Sequence, residues 1–166
     1  MSNVVRRDDE VLLELLNTAP VVDGVQTDAL ADKTAAREWL DARGASGTSP
    51  AMAKMVREAI ASVVRGESAE VLQPFLAGAT QLPAIDGRGL RWDMKPGKAG
   101  AFAMRCVLAW AELAELAPGR LRPCENDECN LFLLDRSRAN SRRWCSMATC
   151  GNRLKARRHH QRVTQG

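Results

Sequence analysis

Apolar residues recur with a helical period over most of the first 119 positions of this chain, and the pattern breaks only where turn-forming residues cluster. Val11, Leu12, Leu15 and Leu16 predict a helix over residues 9–19, entered from Asp8 or Asp9 and stopped before Pro20, with a loop to follow. Ala35, Ala36, Trp39 and Leu40 share one face of a second helix that ends near Gly44, a natural left-handed cap. The third is the most regular. Ser49 and Pro50 supply its N-cap and first turn, and Met52, Met55, Val56, Ala59, Ile60, Val63 and Val64 form a core stripe up to Gly66. Val71, Leu72, Phe75 and Leu76 suggest a further helix over residues 68–77, kinked or shortened by Pro74.

The period changes between residues 81 and 96. Segments 82–86 and 90–94 flank Gly87-Arg88-Gly89, which reads as a hairpin with a three-residue loop and a left-handed glycine. A long helix over residues 98–117 then carries Phe102, Cys106, Ala109, Trp110, Leu113 and Leu116 on one stripe, where Cys106 reads as a core thiol. Pro118 and Gly119 end it and mark a boundary. The expected architecture is a mainly α domain over residues 1–119 with a small β-hairpin, followed by a second domain over residues 120–166.

Charge sharpens that division. Residues 120–166 carry eleven Lys and Arg against four Asp and Glu, a formal +7, whereas residues 1–119 carry thirteen against sixteen, a formal −3. A basic tail on a near-neutral domain commonly binds nucleic acid. The N-terminus shows no apolar core of signal-peptide length, and no run reaches the roughly 18 apolar residues of a membrane span, so the expected location is cytoplasmic with no membrane partner.

In that compartment the other four cysteines acquire a meaning. Cys124, Cys129, Cys145 and Cys150 are spaced C-x4-C, fifteen residues, C-x4-C. Two disulfides fit the count, but reducing conditions favour a shared metal, and four thiolates converging at about 2.3 Å suit Zn2+. Such a site has no open position for water activation. With His159 and His160 the only histidines, and no phosphate loop or nucleophile elbow, an enzyme is not expected. Metal would also compensate for a tail with few large apolar residues, since structural zinc contributes on the order of 10 kcal/mol to folding.

The cysteines sit in a longer ordered pattern. Arg122-Pro123-Cys124 and Cys129 precede Leu131-Phe132-Leu133-Leu134-Asp135, then come Arg142-Arg143-Trp144-Cys145-Ser146-Met147 and Cys150-Gly151-Asn152-Arg153 with Lys155-Ala156-Arg157-Arg158. Over residues 120–160 this resembles the CGNR zinc finger. Leu15-Leu16-Asn17-Thr18 and the 30–44 stretch with Trp39-Leu40 are similar to the ABATE domain, which precedes this finger in bacterial proteins described as stress-induced transcription regulators.

The residues suggest a treble-clef-like finger. Cys124 and Cys129 form a first knuckle, segments 131–135 and 142–145 a β-hairpin, and Cys150 the first turn of a C-terminal helix, with Phe132 and Trp144 packed beside the metal. On that helix Lys155, Arg158 and Arg162 share one side and Arg153 and Arg157 another, and Arg142 and Arg143 on the hairpin extend the basic surface. The resemblance implies a zinc-dependent DNA-binding transcription regulator whose N-terminal domain senses a small-molecule effector or forms a homodimer. The alternatives are a zinc-stabilised module that docks on an acidic protein, and an RNA binder.

Overall fold

The computed structural model describes residues 2–22 and 24–152. Helix α1 (Ser2–Leu16) begins earlier than the pattern of apolar residues indicates. It ends sooner, because the chain tightens at Thr18, whose N–H and hydroxyl both donate to Leu15 O, at 3.1 and 2.7 Å. The predicted loop contains a short antiparallel pair, β1 (Val21–Val22) with β2 (Val25–Gln26), at whose turn Gly24 takes φ +79°.

Helix α2 (Lys33–Asp41) is capped by the Asp32 carboxylate, which accepts the N–H groups of Thr34 and Ala35 at 3.0 and 2.8 Å. Its end closes at Gly44, as expected, where φ is +65° and the Ala45 N–H returns to Leu40 O at 2.9 Å. Ser49 caps α3 (Pro50–Val64) through Met52 N.

The buried face of α3 is rotated from the predicted stripe. Ala53, Val56, Arg57, Ile60 and Ala61 face inward, whereas Met55 is 58% exposed and so is not core. Arg57 explains the rotation. Its guanidinium donates twice to Asp28, at 2.8 and 3.0 Å, and once to the Thr18 hydroxyl at 2.8 Å, so a charged side chain outside the predicted stripe is accommodated on the buried face.

A 3₁₀ turn (Ala69–Leu72) leads into α4 (Gln73–Leu76), where Pro74 occupies the first turn and starts the helix instead of kinking one. Helix α5 (Gly100–Leu116) packs against α1, α3 and α4. Phe102, Ala103, Cys106 and Val107 of α5 join Leu12, Leu15, Leu40, Val56 and Ile60 in the core, and Trp39 meets Phe102 edge-on at 6.4 Å. Leu116 is 71% exposed, outside the stripe predicted for it, because the last turn of α5 runs beyond the packed elements.

Between α4 and α5 stands the predicted hairpin, β3 (Thr80–Asp86) with β4 (Gly89–Lys95), in register Pro83↔Trp92 and Ile85↔Leu90, but its loop is two residues, Gly87 and Arg88, and not three, because Gly89 already pairs with Asp86. Gly89 is the left-handed glycine, at φ +108°.

The last sheet differs from expectation. Strand β6 (Phe132–Leu134) pairs antiparallel with β5 (Leu121–Pro123), not with segment 142–145, which forms no strand. Residues 131–135 are drawn to β5 because Phe132 enters the helical core, with Leu121 packed against it. Arg65 from beyond α3 lies over the Phe132 ring at 4.5 Å.

Candidate metal centre and basic surface

The chain reverses between β5 and β6 in a knuckle. Cys124 N donates to Leu131 O and Cys129 N to Asn126 O, both at 2.8 Å, so a tight loop turns both thiols the same way. Ser146 then shapes the second pair: its carbonyl accepts Cys150 N at 3.1 Å and Gly151 N at 3.0 Å, winding Met147–Gly151 into a π-helical turn. The Met147 side chain packs onto the bare Gly151, whose added Cβ would lie 2.7 Å from Met147 Sδ. The continuation of this turn into a helix falls outside the described residues.

The four Sγ atoms of Cys124, Cys129, Cys145 and Cys150 all lie within 4.8 Å of one another, with Cys129–Cys145 and Cys145–Cys150 each at 3.7 Å. A tetrahedral Zn2+ with bonds of about 2.3 Å requires sulfur separations of about 3.8 Å. The donor set therefore fits in number, chemistry and spacing. Two N–H groups already point at the sulfurs: Asn126 Nδ2 lies 3.4 Å from Cys150 Sγ, and Cys145 N lies 3.4 Å from Cys124 Sγ. Donors of this kind offset thiolate charge and orient the ligands. The spacing of the cysteines gave no sign of Asn126, which is 2% exposed within the first C-x4-C gap.

The protein's own groups disfavour four ionised thiols. Burial pushes Cys129 up to about 11 and raises Cys145, whereas Cys150 is lowered, burial there being outweighed by hydrogen bonds from Asn126 and the neighbouring thiols. A divalent cation reverses that balance by stabilising the thiolates. Cys106 is distant from this chemistry. Burial pushes its thiol up to about 12, consistent with the predicted core role.

A second centre organises the arginines. Asp135 is fully buried; its Oδ1 accepts Ser137 N at 2.8 Å and its Oδ2 accepts Arg142 N at 2.7 Å and Arg122 Nη2 at 2.9 Å. These contacts hold its carboxyl at about 2, led by hydrogen bonding from Ser137 and opposed by desolvation. Arg122 also donates to Gly119 O, to Asn140 and to the Arg142 carbonyl, so it staples β5 to the 140–142 segment.

The predicted nucleic-acid residues divide into two groups. Arg142 and Arg143 are described, and both are engaged: Arg142 donates to the carbonyls of Trp144 and Cys145, and Arg143 pairs with Glu125 while lying 5.5 Å from the Trp144 ring. Arg153, Lys155, Arg157, Arg158 and Arg162 lie outside the described residues. Arg120 is tied to Asp135 O and Ser137 O, and Arg136 to Asp9 and Glu10 of α1. Arg138, not singled out from the sequence, is an exposed cation. Trp144 sits beside Gly151 at the metal turn, as expected, but Phe132 belongs chiefly to the helical core.

No helix among the described residues is long and apolar enough to cross a membrane. A search of curated proteins returns no match. Among protein families, the CGNR zinc finger matches residues 120–163, which with the sulfur geometry identifies the cofactor as Zn2+. Residues 9–123 match ABATE, described as "Putative stress-induced transcription regulator". Neither match is to an enzyme family. As that second match spans well over half of the 166 residues, the chain belongs to the ABATE family and carries a CGNR zinc finger at its C-terminal end.

Proposed function

We propose that this protein is a zinc-dependent DNA-binding transcription regulator in which Cys124, Cys129, Cys145 and Cys150 ligate one Zn2+ in a treble-clef-like finger. The zinc has a structural role, with no open position for chemistry. The helical region senses an effector or dimerises, and the finger meets DNA.

The observation that carries this reading is where the spare charge lies. Residues 120–152 hold six basic and four acidic side chains, a formal +2, which a four-thiolate zinc site of charge −2 brings to about zero. Residues 153–162 add five cations and no acid immediately after the metal turn. Arg153, Lys155, Arg157, Arg158 and Arg162 are therefore the proposed phosphate contacts, with Arg142 and Arg143 shaping the surface beside them.

Five neutralised phosphates give a slope of about −4 to −5 in log K against log salt on duplex DNA. Fluorescence anisotropy of the zinc-loaded chain across a salt series measures it. A slope near zero would overturn the proposal. Stable capture of an acidic protein partner from nuclease-treated lysate, with no DNA retention, would instead assign the basic segment to a protein interaction.

A further inference from the structure

We propose that the apolar face of the β3–β4 hairpin is a homodimer interface. The strand register sorts the arm into two unlike faces. One carries Gln81, Pro83, Ile85, Leu90, Trp92 and Met94; the other carries Leu82 and Ala84 among charged residues, with Arg91 paired with Asp86 at 3.2 Å and with Asp93, together with Lys95. The uncharged face is uncovered among the described residues. Ile85 is 83% exposed, Leu90 64%, Trp92 55% and Met94 42%.

A two-stranded hairpin is marginally stable alone in water, and clustered large apolar side chains mark an interaction surface. With about 150–250 Å² for each whole large side chain, the exposed fractions sum to on the order of 500 Å² per chain. Two such faces bury about 1,000 Å², near the lower bound of specific interfaces.

A second copy is the occupant that matches this chemistry. The face offers no charged side chain to phosphate, or to an acidic or basic partner, and its best complement is an equally uncharged surface. Two identical faces related by a two-fold axis supply that. Pro83 also has no N–H to offer an added strand, which disfavours edge pairing at β3. The arm is rooted firmly: a Cβ at Gly97 would fall 2.1 Å from Ala77 O, so the two ends of the hairpin meet in a neck too tight for any side chain. This assigns residues to the dimerising role within the function proposed above. It does not depend on DNA binding.

Sedimentation equilibrium of the full zinc-loaded chain, without DNA, tests the proposal. The wild type sediments as a dimer. Trp92→Glu and Ile85→Glu each raise the dimer dissociation constant by ~30-fold or more, with helical circular dichroism and zinc content unchanged. Arg91→Ala, on the opposite face, leaves the dimer intact. A monomeric wild type overturns the proposal, as does a dimer that persists in the double variant combining Trp92→Glu with Ile85→Glu. Loss of DNA retention by a monomeric double variant of a monomeric parent would assign the face to DNA and equally refute it.

Discussion

Asn17 grips both backbone polar groups of Phe132, a residue 115 positions away: its Oδ1 accepts Phe132 N at 2.8 Å and its Nδ2 donates to Phe132 O at 3.1 Å. Asn130 returns the arrangement, accepting Val21 N at 3.0 Å and donating to Ala19 O at 2.6 Å. The end of α1 thus binds the edge of β6 as an added strand would. Replacing Asn17 with Ala leaves two partly buried backbone groups unpaired and should cost about 2–3 kcal/mol in urea unfolding. Zinc content should not change. A loss below ~0.5 kcal/mol would show that the clamp holds nothing.

Removing the metal should release only part of the tail. Chelation, or Cys145→Ser, frees the knuckle and the Met147–Gly151 turn, while the buried side chains of β6 and the two asparagine clamps still hold β5–β6 to the helices. Elemental analysis should show zinc lost, and far-ultraviolet circular dichroism should retain most of the helix signal. Trp144, packed beside Gly151, should change its fluorescence. Complete helical unfolding on chelation would contradict this.

Arg57 is 5% exposed and committed to Asp28 and Thr18, so Arg57→Ala takes the main partner from Asp28, which keeps only the Leu30 N–H and Lys54 at 3.5 Å, and should cost about 1–3 kcal/mol. The Arg57 hydrogen bond is the main cause holding the Asp28 carboxyl at about 2, below the roughly 3.9 of an unfolded Asp. The contribution is therefore complete above about pH 5 and is lost as pH falls from about 4 toward 2. Asp28→Asn should flatten that part of the urea-midpoint profile, and Asp135→Asn should do the same in the same window, because the Asp135 carboxyl also sits at about 2.

Gly97→Ala should be among the most damaging small substitutions in the molecule. The added carbon would press on the backbone of Ala77 and Ala79, at 2.1 and 2.8 Å, which no side-chain rotation relieves. A loss of about 1–3 kcal/mol is expected. Gly151→Ala meets mainly the Met147 side chain, which is 47% exposed and can move aside, so its effect should be smaller.

Arg142 and the Arg157–Arg158 pair should separate structure from contact. Arg142→Ala removes donors to Trp144 O and Cys145 O and should lower the chelator concentration at which zinc is lost. Arg157→Ala with Arg158→Ala should leave zinc retention alone and reduce the salt slope on duplex DNA by about 2. Equal effects of both changes on zinc retention would remove the distinction.

Much of this was legible in the residues. Local signals placed α2, α3 and the β3–β4 hairpin, because Ser49, Pro50, Gly44 and Gly89 act on their immediate neighbours through caps and left-handed turns; the Asp32 cap of α2 was not read from the sequence. The four cysteines were legible as one metal site because spacing and redox chemistry suffice, and the order of motifs around them identified the finger. Leu15-Leu16-Asn17-Thr18 carried a family likeness, but its work was not visible there: the leucines fill the core, Asn17 holds Phe132 and Thr18 receives Arg57.

What the sequence by itself determined is the placing of α2, α3 and the β3–β4 hairpin and the chemistry of the metal donors, both governed by groups close along the chain. The tertiary structure alone decided which strand β6 joins, which face of α3 turns inward, and that Arg122, Arg136 and Arg142 are spent on internal contacts. Those outcomes depend on partners up to 127 positions away. A buried carboxylate such as Asp135 recruits whatever donors the fold delivers, and no periodicity encodes which ones those are.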